Sequence, residues 1–309
     1  MQRFNEYHPI INLIFIVIAL IITMSSINPY TAGLSLFMAL LYGRYLYGKK
    51  YLKIFAFLSI PVIIFAAVFV PLFSHNGETA LFYINDLPVT LETILFGLVT
   101  GMMMLATISW FYVAGSMIDT EKFLYLTGRL LPTIALIISM TIGMIPKLIK
   151  KYKEVSDAQA GIGRNSGDMS VMRRIQFMLK KLSIVISWTL EDSVNTTVSM
   201  ESRGYGTGKR TNAHLFKFIR NDRIMLVLLM AFGSFPCTMA ILGKYRVNYF
   251  PSMEFTEITF INVVSFFMFF LFMGIPMASD IINGAYENSG ENMSKAAANS
   301  NERRDNNGR

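Results

Sequence analysis

Two segments of the chain place an arginine among small residues at the end of a helix-like pattern. They are AQAGIGR at 158–164 and MESRGYG at 200–206. A guanidinium is always charged and can form a bidentate pair with a carboxylate. At a helix end it is suited to enter an acidic groove of another protein, so two such ends could hold two partners.

The second segment has the composition of a helix C-terminus. Gly204 suits the left-handed residue that follows many helices, and Arg203 would lie at the negative end of the helix dipole. Ser202, Arg203 and Gly204 are therefore candidate partner-binding residues. At the first segment the candidates are Gly161, Ile162, Gly163 and Arg164.

The sequence offers few residues for disulfide bonds, metal binding or nucleotide binding. A single cysteine, Cys237, gives no disulfide framework, and three scattered histidines leave little for a metal site. The glycine-rich run at 204–210 lacks the first Gly and the final Ser or Thr of a phosphate-binding loop. The sequence thus predicts no catalytic residues, cofactor, metal or nucleotide site in this chain.

Two amphipathic patterns lead to these helix ends. From Ile145, apolar residues recur at steps of three and four among four lysines, and the pattern stops at Gly161 and Gly163. A longer pattern runs from Val171 to Val198 and stops at 202–204. An alternative interpretation is that the basic faces hold both helices against an anionic membrane surface.

The composition predicts a membrane protein. Of the 309 residues, 53% are hydrophobic and only 16% are charged, and the mean hydropathy is +0.45. We expect an all-α polytopic protein with five to six transmembrane helices. The apolar runs lie at about 10–27, 31–47, 54–73, 91–117, 224–242 and 258–277.

The charge distribution predicts the orientation. Between Lys147 and Arg223 there are 15 basic and 7 acidic residues, which accounts for the whole net charge of +8. Basic segments beside membrane spans face the cytoplasm, whereas the loop at 75–89 has no Lys or Arg and is expected outside. The apolar run at 132–146 is short for a span, so we expect it to lie in or against the membrane, with both termini cytoplasmic.

These expectations divide the chain into four parts. They are N-terminal transmembrane helices at 1–118, cytoplasmic or in-plane coupling helices at 119–223, C-terminal transmembrane helices at 224–282, and a disordered tail at 283–309. The tail is rich in Asn, Ser, Gly and charge.

The sequence resembles a known family at these positions. The run at 200–206, followed by Arg210-Thr211, is similar to the second Ala-Arg-Gly type signature of the transmembrane T component (EcfT, also the CbiQ type) of energy-coupling factor transporters. Asp157-Ala158-Gln159 resembles the run into the first signature, and Tyr7-His8-Pro9 resembles a common opening of such chains.

The resemblance implies an ATP-driven importer of vitamins or other micronutrients. In it a non-catalytic T subunit joins two cytoplasmic ATPases to a substrate-binding membrane protein, the S component. The arginine of each signature docks in a groove of one ATPase, a role that Arg203 would take. At the first signature Ile162 stands where the arginine is expected, so either Arg164 substitutes for it or the contact is apolar.

A second function remains open at this stage. A polytopic membrane enzyme could bind lipid phosphates at the same basic cytoplasmic face. Both interpretations predict contact with membrane lipids in the plasma membrane, and neither predicts nucleic-acid binding.

Overall fold

A computed structural model of the chain describes residues 4–25, 27–73, 77, 79–84, 87–162, 170–208, 216–250 and 259–307. The side chains at 82, 84, 87, 129, 130 and 286–307 are outside this description. The chain divides into two compact units. Unit 1 comprises Met1–Lys122 and Phe216–Arg309, and unit 2 comprises Phe123–Leu215.

The described residues are almost entirely helical, which confirms the predicted all-α class. In chain order the elements are a 3-10 turn Phe4–Glu6, α1 Pro9–Ser25, α2 Pro29–Tyr47, α3 Lys49–Phe73, β1 Ala80–Ile84, β2 Leu87–Thr90, α4 Leu91–Met117, α5 Thr120–Leu130, α6 Pro132–Gly161, α7 Val171–Ser202, α8 Arg220–Ile241 and α9 Phe260–Asn307. The two strands form an antiparallel hairpin within the predicted outside loop.

Large aromatic side chains fill the core of unit 1 where α1, α2, α4, α8 and α9 meet. The Phe15 ring lies 5.5 Å from that of Trp110 and 5.1 Å from that of Phe272, measured between centroids. The Trp110 indole donates a hydrogen bond to Ser35 Oγ over 3.0 Å, and Ser35 is also 2.8 Å from Thr23 Oγ1. Buried hydroxyls thus satisfy the polar group that tryptophan brings into an apolar core.

Glycines allow α3 and α4 to approach closely. A Cβ added at Gly97 would lie 2.7 Å from the Ala66 carbonyl oxygen, and one at Gly101 would lie 3.1 Å from Ala66 Cβ. Small residues spaced by four let helix backbones meet and are common between membrane helices. This spacing explains how α4 packs along α3.

Within the described residues, five helices are long and apolar enough to cross a membrane. They are α3, α4, α6, α8 and the Phe260–Ala285 part of α9. The helix α1 is apolar but shorter, and α2 is not among the five. The structure therefore confirms a polytopic helical membrane protein.

The apolar run at 132–146 is helical, but it is not a separate short helix. Pro146 lies inside α6, which continues for 30 residues to Gly161. Membrane helices tolerate internal proline, so the residue does not mark a boundary. Because α6 is long enough to cross a membrane, its in-plane placement stays a prediction that depends on the charge distribution alone.

The backbone of α9 is helical as far as Asn307. Its last part is rich in Asn, Ser and Gly, which are weak helix formers, and an isolated helix of this composition is marginal in water. The expected disordered tail at 283–309 stays a prediction.

Candidate docking site

The helices α6 and α7 form an antiparallel pair in unit 2. Lys181 Nζ on α7 donates a hydrogen bond to Ser156 Oγ on α6 over 2.8 Å. Further along the pair, Lys151 Nζ lies 4.6 Å from the centroid of the Trp188 ring, in cation–π geometry. The contacting residue numbers fall along α6 as they rise along α7, so the two helices are antiparallel. The two helix ends that carry the candidate segments thus belong to one helical pair.

The C-terminus of α7 is closed by its own backbone. The Tyr205 N–H donates to the Met200 carbonyl over 3.0 Å, and the Gly204 N–H donates to the Glu201 carbonyl over 2.9 Å. This pair of bonds is the Schellman motif, which needs a left-handed residue after the helix. Gly204 has φ of +82°, so the predicted conformation of this glycine is confirmed.

Arg203 occupies the C-cap position of α7 and is exposed. Among the described residues, no carboxylate lies within salt-bridge distance of its guanidinium. The nearby carbonyl end of the helix favours the cation. The side chain is therefore available to pair with a carboxylate of another protein.

The first candidate segment ends α6 in a different way. Gly161 is the last helical residue, and Ile162 follows it with a side chain that is 71% exposed. An exposed isoleucine at a helix tip offers an apolar contact. Gly163 and Arg164 lie outside the described residues, as do Arg210 and Thr211.

Much of the apolar stripe of α7 is exposed. Val185 is buried, but the side chains that precede and follow it along the pattern are open, including Ile175, Leu182, Ile186, Leu190, Val194 and Val198. An apolar face of this length rimmed by charge is typical of an interaction surface. Unit 2 thus has apolar side faces and exposed helix tips.

A groove of about 540 Å³ between α6 and α7 was not predicted from the sequence. Its lining includes Lys147 and Lys150 on α6, and Trp188 and Glu191 on α7. The tryptophan is the one signal in the sequence that could have drawn attention to it. Lys151 also forms a salt bridge with Glu154 at 3.6 Å, so part of the charge in the groove is already paired.

The fold defines the class: this is a polytopic α-helical membrane protein. The sequence profile of the CbiQ family, described as cobalt transport protein, matches residues 3–215. Since the match covers more than half of the chain, the chain belongs to the CbiQ family, which confirms the resemblance seen in the sequence. It is therefore a membrane protein of a transport family.

One curated relative carries a more specific name. The energy-coupling factor transporter transmembrane protein EcfT of Lactobacillus helveticus (strain DPC 4571) is 29% identical over 94 residues. The aligned part is 30% of this chain and 34% of that relative. The chain thus matches about a third of the length of the curated relative.

Proposed function

We propose that the chain is the energy-coupling T subunit of an energy-coupling factor importer of vitamins or other micronutrients. It joins two cytoplasmic ATPases to a substrate-binding S component, and ATP is hydrolysed by the partners. The observation that carries the proposal is Arg203, an exposed guanidinium without a described carboxylate partner at the capped end of α7. Membership of the CbiQ family supports the same function.

The length of α7 supports two separate docking points. Ser156 contacts Lys181, so the end of α6 lies within about two turns of that contact. Arg203 lies about 33 Å further along α7, at 1.5 Å per residue. Two ATPases could therefore bind without competing, one at Arg203 and the other at the Ile162 tip or at Arg164.

The apolar face of α7 supports the third partner. The S component is itself a membrane protein, and apolar side chains that no described part of unit 2 covers offer a surface for its helices. In this proposal the substrate is chosen by the S component. The T subunit passes motion from the ATPases to it.

The test is a tagged purification of the full chain in mild detergent, with the recovered partners identified and counted by mass spectrometry. We expect two ATPases and a small membrane protein with the native chain. Arg203→Glu should remove ATPase bound at α7, because the new carboxylate would face an acidic groove and a buried charge pair would be lost. The ATPase content per chain should fall to about half, as expected when one of two independent sites is lost.

The matched control is Lys180→Glu, which makes the same charge change at an exposed position in the N-terminal third of α7. It should leave ATPase recovery unchanged. Equal recovery with Arg203→Glu and with the native chain would contradict the docking role. A chain that purifies alone in every form would contradict the proposed function itself.

A further inference from the structure

The chain leaves unit 1 after Lys122 and returns to it at Phe216. The outgoing connection, at 117–122, and the returning connection, at 216–222, both contact the short N-terminal segment Phe4–Pro9. This segment leads into α1, which begins at Pro9, and is buried at Phe4, Tyr7 and His8. The backbone N–H and C=O groups of these buried residues need hydrogen-bond partners.

The outgoing connection is held by Lys122. Its ammonium donates to the Asn5 carbonyl oxygen, to Asn5 Oδ1 at 2.7 Å, and to the Met117 carbonyl oxygen at 3.0 Å. The side chain is only 5% exposed, so its three N–H donors need acceptors inside the protein, and three oxygen atoms supply them. Burial lowers the pKa of Lys122, and the charges of Asp119 and Glu6 oppose that shift.

The returning connection is held by Asp222. One carboxylate oxygen accepts a hydrogen bond from the His8 backbone N–H over 3.2 Å. The other accepts from the Ile219 N–H over 2.9 Å and so caps α8. The His8 ring also packs on Phe218, with 4.7 Å between ring centroids, so backbone and side-chain contacts hold the same point.

The segment is anchored in the core of unit 1. Asp280 on α9 accepts from the Phe4 N–H over 2.6 Å and from the Tyr42 hydroxyl over 2.8 Å. The Phe4 ring is fully buried, and its centroid lies 5.4 Å from that of Phe15. The N-terminal segment therefore contacts α1 through Phe15 and α9 through Asp280, and Asp280 links it to Tyr42 on α2.

We propose that Phe4–Pro9 is a clasp that binds the outgoing connection through Lys122 and the returning connection through Asp222, so that both open or stay closed together. Rigid attachment at two points prevents either connection from yielding alone. The next step rests on the proposed function. If ATPases exert force on unit 2, the clasp transmits that force through both connections to the membrane helices.

Hydrogen exchange of the full chain in detergent tests the clasp without any partner. In Lys122→Met the amides at 216–222 should exchange faster as well as those at 117–122, although the substitution is on the outgoing side. In Asp222→Asn, which is on the returning side, the amides at 117–122 should exchange faster as well as those at 216–222. We expect at least about tenfold at each connection, because the loss of one hydrogen bond to a charged group already corresponds to about tenfold. Asp222→Asn removes one such acceptor, and Lys122→Met removes three such donors.

Two further variants keep the test decisive. Asn5→Ala removes one acceptor at an exposed position and serves if Lys122→Met does not fold. Ser109→Ala removes a buried hydrogen bond to Tyr51 elsewhere in unit 1 and should leave both connections unchanged. Faster exchange only beside the substituted residue would overturn the clasp, since it would show that the two connections open independently.

A second readout separates the clasp from the proposed function. In the assembled transporter, Asn5→Ala should raise the ATP hydrolysed per solute molecule imported while the ATPases remain bound. An unchanged ratio would overturn the role of the clasp in force transmission. If no ATPase binds the native chain, the proposed function fails, while cross-effects in hydrogen exchange would still establish the clasp.

Discussion

At the scale of single residues, Gly204 determines how the chain leaves α7 and hence where Arg203 is presented. Its left-handed backbone lets the Tyr205 N–H reach back to Met200. A side chain at this φ is strained because Cβ approaches the neighbouring carbonyl. The orientation of the arginine therefore depends on the residue after it.

We expect Gly204→Ala to destabilise the end of α7 by about 1 kcal/mol. Exchange at the amides of Gly204 and Tyr205 should rise, and ATPase binding should weaken with Arg203 still present. The matched control is Gly208→Ala, since an added Cβ there meets no atom within 4 Å and no positive φ is involved. Equal protection of the α7 terminus in both variants would show that the glycine is dispensable.

Local chemistry made Gly204 predictable, because a glycine directly after an arginine at the end of an amphipathic pattern is typical of a helix C-terminus. The roles of Lys122 and Asp222 could not be predicted in this way. Their partners, Asn5 and His8, lie more than a hundred residues away in sequence, and no periodicity connects them. Only the packed structure brings these groups together.

At the scale of elements, the contact between α3 and α4 depends on space left by glycine. A Cβ at Gly97 would lie 2.7 Å from a backbone oxygen that a rotamer change cannot move. We expect Gly97→Ala to push the helices apart and to cost about 1–3 kcal/mol, the usual range for overpacking. Thermal unfolding in detergent would measure it.

Gly115→Ala on the same helix is the control, because nothing lies within 4 Å of the added Cβ. It should be neutral or slightly stabilising, since alanine favours helix. A Gly97→Ala chain as stable as Gly115→Ala would show that α3 and α4 move apart at no cost. The close approach would then not be required.

Periodicity predicted α7 well and α6 poorly. The apolar pattern from Val171 to Val198 has no internal breaker, and the helix extends from Val171 to Ser202 as expected. In α6 the pattern changes at Pro146 from fully apolar to amphipathic, and such a change favours a boundary. A proline removes one backbone hydrogen bond, and the turns on both sides are long enough to continue the helix around it.

At the scale of the whole molecule, the charge distribution predicts which regions face the cytoplasm. We expect unit 2 and both termini inside and the β1–β2 hairpin outside. The chain suits cysteine labelling because its one cysteine, Cys237, can be replaced by serine. Tyr83→Cys should react with an impermeant maleimide in intact cells, since its side chain is 69% exposed, whereas Gly208→Cys should react only after permeabilisation.

Labelling of Gly208→Cys in intact cells would place the basic segment outside and would refute the predicted orientation. Arg203 would then lie outside, where ATPases that use cytoplasmic ATP could not bind it, and the proposed docking role would fail. Labelling at neither position in intact cells would mean that the hairpin is either shielded or not outside. A second position in the same loop, Leu81→Cys, then tests the outside assignment, since Leu81 is 55% exposed.

The absence of proline from α7 has a mechanical consequence. The helix has 32 residues from Val171 to Ser202, or about 48 Å at 1.5 Å per residue, with no internal proline at which it would bend. Such a rod acts as a lever arm: a tilt of about 10° at one end displaces the other by about 8 Å, given that length. A small change of angle at a docked ATPase would therefore become a displacement larger than the width of a side chain.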